Sequence, residues 1–402
     1  MTPALRWQDC PVNTYYTINR ILLLCVGLWP YYTSTLRYIV ILTTSGLLVI
    51  GVVIQLLTFV TTEYTIGILL RVLAYSIGWL GYAIKYNVLC LNIKGIRSLM
   101  EQMLKNWNEL HNKQEIEIIK EYSNIGRFIT LITSLIIYVL GGCIILMQFL
   151  SNFLLDITSS KNESHLRQFP ILFECFIDQQ KYFYPLLLLL SLAVMSGMTT
   201  MVATETLSLS HAYHACGLFE IASYRIEQAF LKDMVQGNAS STEKKSILYQ
   251  RIISGFNMYK IAIEFIEMLK SNYALAYSLL IPFGVLSLSI NLYRLSRLIT
   301  SKDYNETFIS IIFIVGHFMH MFFVNFIGQK VIDHSSDIFH KIYNVKWYLA
   351  PLKVQKLLML IMQRSIRHCT MVMFTLFIPS FEGFATLVST SISYFALIVS
   401  LF

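Results

Sequence analysis

The sequence predicts an all-α membrane protein with seven transmembrane helices, and three observations support this fold class. Of the 402 residues, 55% are hydrophobic and only 13% are charged, whereas soluble domains carry about 25% charged residues. Seven segments reach the roughly 17–25 apolar residues that a helix needs to cross a bilayer. Lysine and arginine are concentrated in the loops on one side of these segments, as is typical of the cytosolic face of a membrane protein.

The seven predicted spans are separated by polar or charged stretches. They cover residues 35–60, 66–91, 127–150, 183–207, 273–299, 306–327 and 379–402. The chain accordingly divides into an N-terminal tail with spans one to four (1–207), a connecting segment (208–271), spans five and six (272–327), a second connecting segment (328–378) and the last span (379–402). A helical pattern at 211–230 continues the fourth span past the membrane.

The distribution of basic residues predicts the orientation. About 22 of the 31 lysines and arginines lie in the N-terminal tail and in the loops at 92–127, 208–271 and 328–378. Because basic loops stay in the cytosol, the N-terminus is predicted to be cytosolic. With seven spans, the C-terminus is then extracellular. The N-terminal residues lack the basic-then-apolar pattern of a cleaved signal peptide.

Charge and cysteine content exclude several kinds of site. The net charge of +8 does not indicate nucleic-acid binding, because no basic stripe is interleaved with aromatic residues. The seven cysteines are odd in number and lack paired spacing, so neither a disulfide framework nor a zinc site is predicted. No metal or cofactor is expected. Asn162 begins an Asn-Glu-Ser sequon on the predicted extracellular side and is a candidate for glycosylation.

The last span carries a narrow polar stripe. At about 100° per residue, its polar side chains fall within an arc of roughly 60°, and the residues beside them are apolar or small. Such a helix suits the wall of a pore better than a lipid anchor, although serine and threonine also join helices by hydrogen bonds. The stripe consists of Glu382, Thr386, Ser389, Ser393 and Ser400.

The segment before the last span is predicted to form an amphipathic helix. Pro351 suits the first turn of a helix. An apolar face follows it, formed by Leu357, Leu358, Leu360, Ile361 and Ile366. An apolar cytosolic helix needs a packing partner. Its own bundle or a neighbouring subunit could supply one.

Four motifs in the last 80 or so residues resemble those of insect odorant receptors. VNFIGQKVID (324–333) is similar to the family's sequence at the end of span six. IYNVKWYLAP (342–351) is similar to the family's Tyr-then-Trp-Tyr-x-x-Pro signature. KLLMLIMQRS (356–365) resembles the Leu-Leu-Met-x-x-Gln-Arg helix, and SYFALIVSL (393–401) resembles the ending shared with gustatory receptors. HACGLFEIASYRIEQAF (214–230) further resembles hymenopteran members. Topology and length agree over the whole chain.

The resemblance implies an odorant-binding tuning subunit of an odorant-gated cation channel, in a heterotetramer with odorant co-receptor subunits. It implies a sensory-neuron plasma membrane, a cytosolic anchor between subunits and a central pore walled by the last span. By this resemblance, Leu397 matches the apolar gate residue of the co-receptor, and Leu401 matches a second constriction residue. Glu382 matches an acidic position at the inner end of the same helix. Ser400 stands where the family's motif has glutamine. Ser393 belongs to the same wall. The predicted anchor residues are Tyr343, Trp347, Tyr348, Leu357, Leu358 and Gln363.

A volatile or apolar ligand requires a cavity with apolar and aromatic walls and few polar groups. We expect it in the outer half of the bundle, between spans two, three, four and six, where aromatic and small residues adjoin. The candidates are Leu70, Ala74, Tyr75, Gly78, Tyr138, Gly142, Ile145, Tyr184, Leu188, Phe308 and Ile312. Each of these alone is more typical of core packing.

Two charged residues and two histidine pairs need separate interpretation. Arg71 and Lys85 lie near opposite ends of span two, where snorkelling to the nearer interface is expected; a role in gating or ligand binding is the alternative. His211 with His214, and His317 with His320, have i, i+3 spacing but no neighbouring carboxylate or cysteine, so buried histidines are favoured over a metal site.

A seven-span G-protein-coupled receptor and a homomeric gustatory-type channel are the two alternative functions. A G-protein-coupled receptor would require an extracellular N-terminus, and its Asp-Arg-Tyr and Asn-Pro-x-x-Tyr motifs are absent from the sequence. A homomeric gustatory-type channel is harder to exclude, because it shares the same ending. The sequence contains no P-loop, GxSxG or HExxH motif, so an enzyme is not predicted.

Overall fold

The computed structural model describes residues 12–158 and 167–401, apart from 33, 63–64, 168, 170, 172, 236–240, 302–303 and 373–376. Within this part of the chain there are ten α-helices and one short 3-10 helix at Trp347–Leu349. The α-helices are α1 Val12–Cys25, α2 Thr35–Thr61, α3 Ile66–Leu91, α4 Ile93–Asn108, α5 Lys113–Thr158, α6 Phe183–Val235, α7 Ser241–Ser301, α8 Tyr304–Asn344, α9 Leu352–Ile366 and α10 Phe381–Leu401.

Seven of these helices are long and apolar enough to cross a membrane, which confirms the predicted fold class. They are α2, α3, α5, α6, α7, α8 and α10. Four of them, α5, α6, α7 and α8, are much longer than the spans predicted from the sequence. The 53 residues of α6 extend about 80 Å at 1.5 Å per residue, well beyond the hydrocarbon core of a bilayer. The predicted continuation of the fourth span is therefore part of one unbroken helix.

Polar residues fix where the helices begin. The Ser34 side chain accepts a hydrogen bond from the Leu36 N–H at the start of α2, and Thr65 accepts one from Ile68 N–H at the start of α3. These caps satisfy N–H groups that have no partner inside the helix. Gly27, between α1 and α2, has φ of 73°, a conformation that glycine adopts without steric cost.

Helix α1 lies within the segment that the sequence indicated only as a tail. It packs on α6, where Asn19 donates to the Thr206 hydroxyl at 3.1 Å and the Tyr16 hydroxyl to the Ser210 carbonyl at 3.4 Å. Both Tyr16 and Asn19 are buried. The N-terminal segment is thus part of the folded bundle.

The two ends of the bundle differ in packing. At the end that holds α4 and α9, here called the α9 end, the extensions of α6, α7 and α8 surround a large apolar core that includes Leu99, Phe219, Phe265, Ile342 and Leu358. At the opposite end, where α2 turns into α3, here called the α2–α3 end, large apolar side chains are exposed on the outside of α2 and α5, for example Val60 and Leu146. Exposed apolar surface on a spanning helix suits contact with lipid.

Candidate functional site

Helix α10 packs against the subunit through one face only. Leu387 and Ser391 are its buried residues, and the Ser289 hydroxyl of α7 donates to the Ser391 carbonyl at 2.9 Å. The polar stripe lies on the opposite face of the helix, and all five of its side chains are exposed. Leu397 and Leu401 border the stripe and are 53% and 65% exposed. The face predicted to line a pore is therefore the face that this subunit leaves uncovered.

The start of α10 is held by α8. The Asn325 side chain accepts a hydrogen bond from Ser380 N–H at 3.0 Å, and Gln329 accepts one from Phe381 N–H at 3.1 Å. Between them, Gly328 allows Pro379 to approach so closely that a Cβ would collide with its backbone. The motif VNFIGQ at 324–329 thus supplies the contacts that fix the N-terminus of α10, which the sequence alone did not indicate.

A small apolar cluster connects α10 to the second predicted span. Leu70 and Ala74 of α3 pack with Ile290 and Tyr293 of α7, and Phe395 and Ile398 of α10 pack against them. Leu70 and Ala74 were predicted to line a ligand cavity. In the structure both lie where α3 meets α7 and α10.

The other ligand-site candidates fall into two groups. Tyr75, Gly78, Tyr138, Gly142 and Ile145 are buried or half-buried. No heavy atom outside the helix's own backbone lies within 4 Å of where a Cβ of Gly78 or Gly142 would stand, so both glycines border open space. The Tyr138 hydroxyl of α5 donates to Thr199 of α6 at 2.9 Å.

The second group lies nearer the surface. Leu188 and Phe308 are exposed, and Tyr184 and Ile312 are half-buried. Tyr184 packs under the guanidinium of Arg167, whose central carbon is 5.3 Å from the ring centre. On α8, Phe313, not Phe308, meets α3: its ring centre lies 5.1 Å from that of Tyr75 in an edge-to-face contact.

Beside Tyr75 lies an ionic cluster, here called the Glu306 cluster, of Arg71, Tyr75, Arg294 and Glu306. Arg71 and Arg294 both form salt bridges with the Glu306 carboxylate. Arg294 donates to the Tyr75 hydroxyl at 2.7 Å and stacks on its ring at 4.6 Å. Arg71 was expected to snorkel to the interface; its side chain is 38% exposed, but it is held by the carboxylate of another helix.

A second ionic cluster lies nearer the α9 end and is called the Glu205 cluster: Lys85, Glu205, Ser208, Tyr277 and His320. Lys85 forms a salt bridge with Glu205 and has no exposed side-chain surface. The Tyr277 hydroxyl donates to Glu205 at 2.7 Å, and Nδ1 of His320 lies 3.4 Å from the same carboxylate. The expected snorkelling of Lys85 is wrong, because a buried ammonium is tolerated only when paired.

The sequence contained a signal for this pair. Glu205 lies inside an apolar span, and an ionisable residue at such a position normally has a partner or a function.

A neighbouring cavity of about 10 Å³, lined by Ser208, Tyr273 and Tyr277 among others, has room for about one water molecule. This cavity is too small for a ligand larger than water.

Of the other histidines in the two i, i+3 pairs, His211 and His214 are buried and His317 is half-buried. His211 and His214 flank the ring of Phe265, and Nε2 of His317 lies 2.8 Å from the Ser287 hydroxyl. Among the described residues, no group of three or more histidine, cysteine, aspartate or glutamate side chains could hold a metal ion. Asn162, the predicted glycosylation site, lies outside the described residues.

The predicted anchor residues occupy both sides of the α9 region. Leu358 is buried in the subunit's own core, and Trp347 and Leu357 pack against that core. Tyr343, Tyr348 and Gln363 are exposed. Just beyond α9, the Cys369 N–H donates to Ser335 at 3.0 Å, and burial raises the pKa of the Cys369 thiol. One face of this region thus holds α9 to the bundle and the other remains available.

Comparisons with known proteins agree over nearly the whole chain. Residues 65–392 match the family described as 7tm Odorant receptor. The fold is similar to that of the insect olfactory receptor OR5 from Machilis hrabei in complex with eugenol, with a TM-score of 0.75 and 15% identity over 97% of this chain and 98% of that one. A second structure of that receptor gives a TM-score of 0.73 and 13% identity over 97% and 99% of the two chains. No curated protein matches the chain by sequence.

Proposed function

The chain belongs to the seven-transmembrane odorant receptor family, whose match covers residues 65–392, and we propose that it is the odorant-binding tuning subunit of a ligand-gated, non-selective cation channel. In this proposal it assembles with odorant co-receptor subunits into a heterotetramer. The assembly lies in the plasma membrane of a sensory-neuron dendrite, surrounded by lipid. The α9 end faces the cytosol, as the excess of lysine and arginine favours.

One observation carries the pore assignment: α10 exposes its polar stripe on the face opposite its packing face. Polar side chains that face lipid lose their contact with water. If the α10 helices of several subunits surround a central axis, the stripe faces water and ions instead. Leu397 and Leu401 form the gate in this proposal, since apolar constrictions close a pore by dewetting. Glu382 attracts cations at the cytosolic mouth, and Ser393 and Ser400 line the wall.

The ligand is a small, volatile or apolar organic molecule that binds in the α2–α3 half of the bundle. The open space beside Gly78 and Gly142 and the ring contact between Tyr75 and Phe313 support this location. The complex of the Machilis hrabei receptor with eugenol shows that this fold accommodates a small aromatic odorant in that protein.

Coupling from ligand to gate follows from the apolar cluster between α3, α7 and α10. Leu70 and Ala74 belong to the same helix as Tyr75, and Phe395 and Ile398 lie in the same stretch of α10 as Leu397. A ligand that binds one arrangement of α3 more tightly than the other shifts the population toward it. Packed contacts would carry that shift to the gate. At the α9 end, exposed Tyr343, Tyr348 and Gln363 are proposed to contact neighbouring subunits.

Recording odour-evoked currents with and without the co-receptor tests the assembly. Currents that require both chains are expected. Full odour-evoked current from this chain alone would favour the homomeric gustatory-type channel instead. A tag fused to the N-terminus tests the orientation, and its detection outside the cell would favour a G-protein-coupled receptor.

Truncation of Leu397 tests the gate. Leu397→Ala widens an apolar constriction, so we expect the basal current of the mixed channel to rise by about threefold or more relative to the evoked maximum. Val399→Ala is the matched control, because Val399 is also exposed but lies on another face of α10. Equal basal currents for both variants would contradict the gate assignment.

A further inference from the structure

Helices α4 and α7 are in close contact near the start of α4 and enclose a cavity farther along. At the contact, a Cβ at Gly95 would collide with the Asn272 side chain, and the Asn92 amide donates to the Asn272 carbonyl at 2.9 Å. The cavity beyond it, here called the α4–α7 cavity, has a volume of about 220 Å³. A water molecule needs about 10–15 Å³ of such space, so a molecule of roughly ten or more non-hydrogen atoms can enter.

The floor of the α4–α7 cavity is apolar. Ile261, Phe265 and Met268 form it, and their spacing places them on one face of α7. The Phe265 side chain is 1% exposed, and its ring lies edge-on against His214 of α6 with the ring centres 5.1 Å apart. Packing from behind therefore fixes the ring, and the floor offers a preformed surface for the apolar part of a ligand.

Carboxylates stand at the rim of the cavity on both walls. Glu109 lines it from α4 and Glu264 from α7. Each carboxylate is held loosely: Nζ of Lys105 lies 3.9 Å from Glu109, Nζ of Lys260 lies 3.5 Å from Glu264, and all four side chains are at least 50% exposed. Exposed pairs of this kind contribute about 1 kcal/mol or less. A cationic group inside the cavity can therefore replace either lysine at little cost.

The end of α4 also favours a cation. Glu109 is the C-cap residue of α4, so the last carbonyls of the helix lie next to the rim. The C-terminus of a helix carries partial negative charge. Among the lining residues that the structure describes, two are carboxylates and one, Lys105, is cationic.

We propose that the α4–α7 cavity binds a small organic cation, an amine with an apolar body of roughly ten to fifteen non-hydrogen atoms. Its ammonium group pairs with Glu109 and Glu264, and its apolar body rests on Phe265 and Met268. The site lies at the α9 end, away from the odorant site proposed in the α2–α3 half. The inference therefore goes beyond the proposed function and does not depend on it.

Titration of the purified full-length chain in nanodiscs of neutral phosphatidylcholine tests the proposal. The probes are 4-phenylbutylamine, tryptamine and 2-(1-naphthyl)ethylamine, each compared with the alcohol and the carboxylic acid of matching skeleton while the thermal midpoint is followed. At neutral pH we expect at least one amine to bind about fivefold or more tightly than its alcohol. The factor is modest because the carboxylates stay partly hydrated.

Variants at the rim and the floor locate the binding site. In Glu109→Gln combined with Glu264→Gln, the preference for the amine should disappear. Glu267→Gln is the matched control and should keep the preference, because Glu267 is also exposed on α7 and pairs with Lys270 at 3.2 Å but is not among the described lining residues. Ile261→Trp fills the cavity and should weaken the amine by about fivefold or more. The unliganded thermal midpoint shows whether each variant is folded.

Three outcomes would overturn the proposal. The first is that no amine binds more tightly than its alcohol, or that the preference persists in the double variant. The second is an equal loss in Glu267→Gln, which would assign the effect to general surface charge. The third is tighter binding of the acid than of the amine, which would make Lys105 the recognition group. Because no current is measured, failure of the proposed channel function would leave each of these results unchanged.

Discussion

Two ionic clusters lie near opposite ends of α3, and they differ in burial. In the Glu205 cluster, the Lys85 side chain has no exposed surface and pairs with Glu205, and the cluster adjoins a cavity of about 10 Å³. In the Glu306 cluster, Arg71 and Arg294 both pair with the Glu306 carboxylate, and the Arg71 side chain is 38% exposed. Breaking a fully buried ion pair leaves a buried charge and is strongly destabilising. A pair that stays partly exposed to solvent contributes less to stability.

The same helix carries both clusters. Arg71 and Lys85 are 14 positions apart, which is about 21 Å along a helix. Near the α9 end, Lys85 ties α3 to α6 and, through Tyr277 and His320, to α7 and α8. At the other end, Arg71 pairs with Glu306 of α8, and Leu70 and Ala74 pack in the apolar cluster that includes Phe395 and Ile398 of α10. The contacts with α10 therefore lie beside the Glu306 cluster.

The largest effect is expected from breaking the balanced pair. Lys85→Met leaves Glu205 buried beside neutral groups, which should lower the free energy of unfolding by about 3–5 kcal/mol. The measurement is the thermal midpoint of the purified chain, with surface expression as a second readout. Lys85→Met combined with Glu205→Gln removes both charges and should recover most of the loss. A single variant as stable as the original chain would show that the pair is not structural.

A smaller effect is expected from removing the shared carboxylate of the other cluster. Glu306→Gln removes the carboxylate that Arg71 and Arg294 share, which should cost about 1–3 kcal/mol because Arg71 stays partly solvated. The measurement is the thermal midpoint of the purified chain, with Lys85→Met as the reference. A loss as large as that of Lys85→Met would contradict the difference between the two clusters.

The smallest effect is expected from deleting one hydroxyl. Tyr75→Phe removes the hydrogen bond from Arg294 but keeps the ring that contacts Phe313 and the guanidinium. We expect a loss of about 1 kcal/mol in stability, and little change in the binding of neutral odorants. Tyr75→Ala, which also removes the aromatic ring, should weaken the binding of odorants as well. Equal losses for both variants would mean that the hydroxyl alone matters.

Much of the fold followed from the sequence because it depends on patterns along the chain. Seven apolar segments predicted the seven spans, and α2 and α3 match their predicted ranges to within a residue. The stripe on α10 was visible because a helix places residues of fixed spacing on one face. The lengths of α5, α6, α7 and α8 were underestimated, since a helix that leaves the membrane loses its apolar pattern without losing its helical structure.

The candidate site was predicted less well, for a physical reason that particular residues illustrate. Phe308 and Phe313 are both aromatic residues near the same end of α8, and nothing in their local sequence tells which one turns toward α3; only Phe313 does. Likewise, Arg71 and Lys85 were interpreted as isolated charges because their partners, Glu306 and Glu205, are far away in the chain. The rotation of each helix about its axis is set by packing against its neighbours.

The sequence by itself therefore determined the fold class, the number of spans and the polar face of α10, all of which follow from composition and from the spacing of residues along a helix. The orientation in the membrane stays a prediction from the charges of the loops. Tertiary structure alone decided that the polar face of α10 is left uncovered, that VNFIGQ fixes the start of that helix, and that two arginines share one carboxylate beside Tyr75. Those facts depend on contacts between helices, and a burial or a salt bridge between distant residues exists only once the helices are packed.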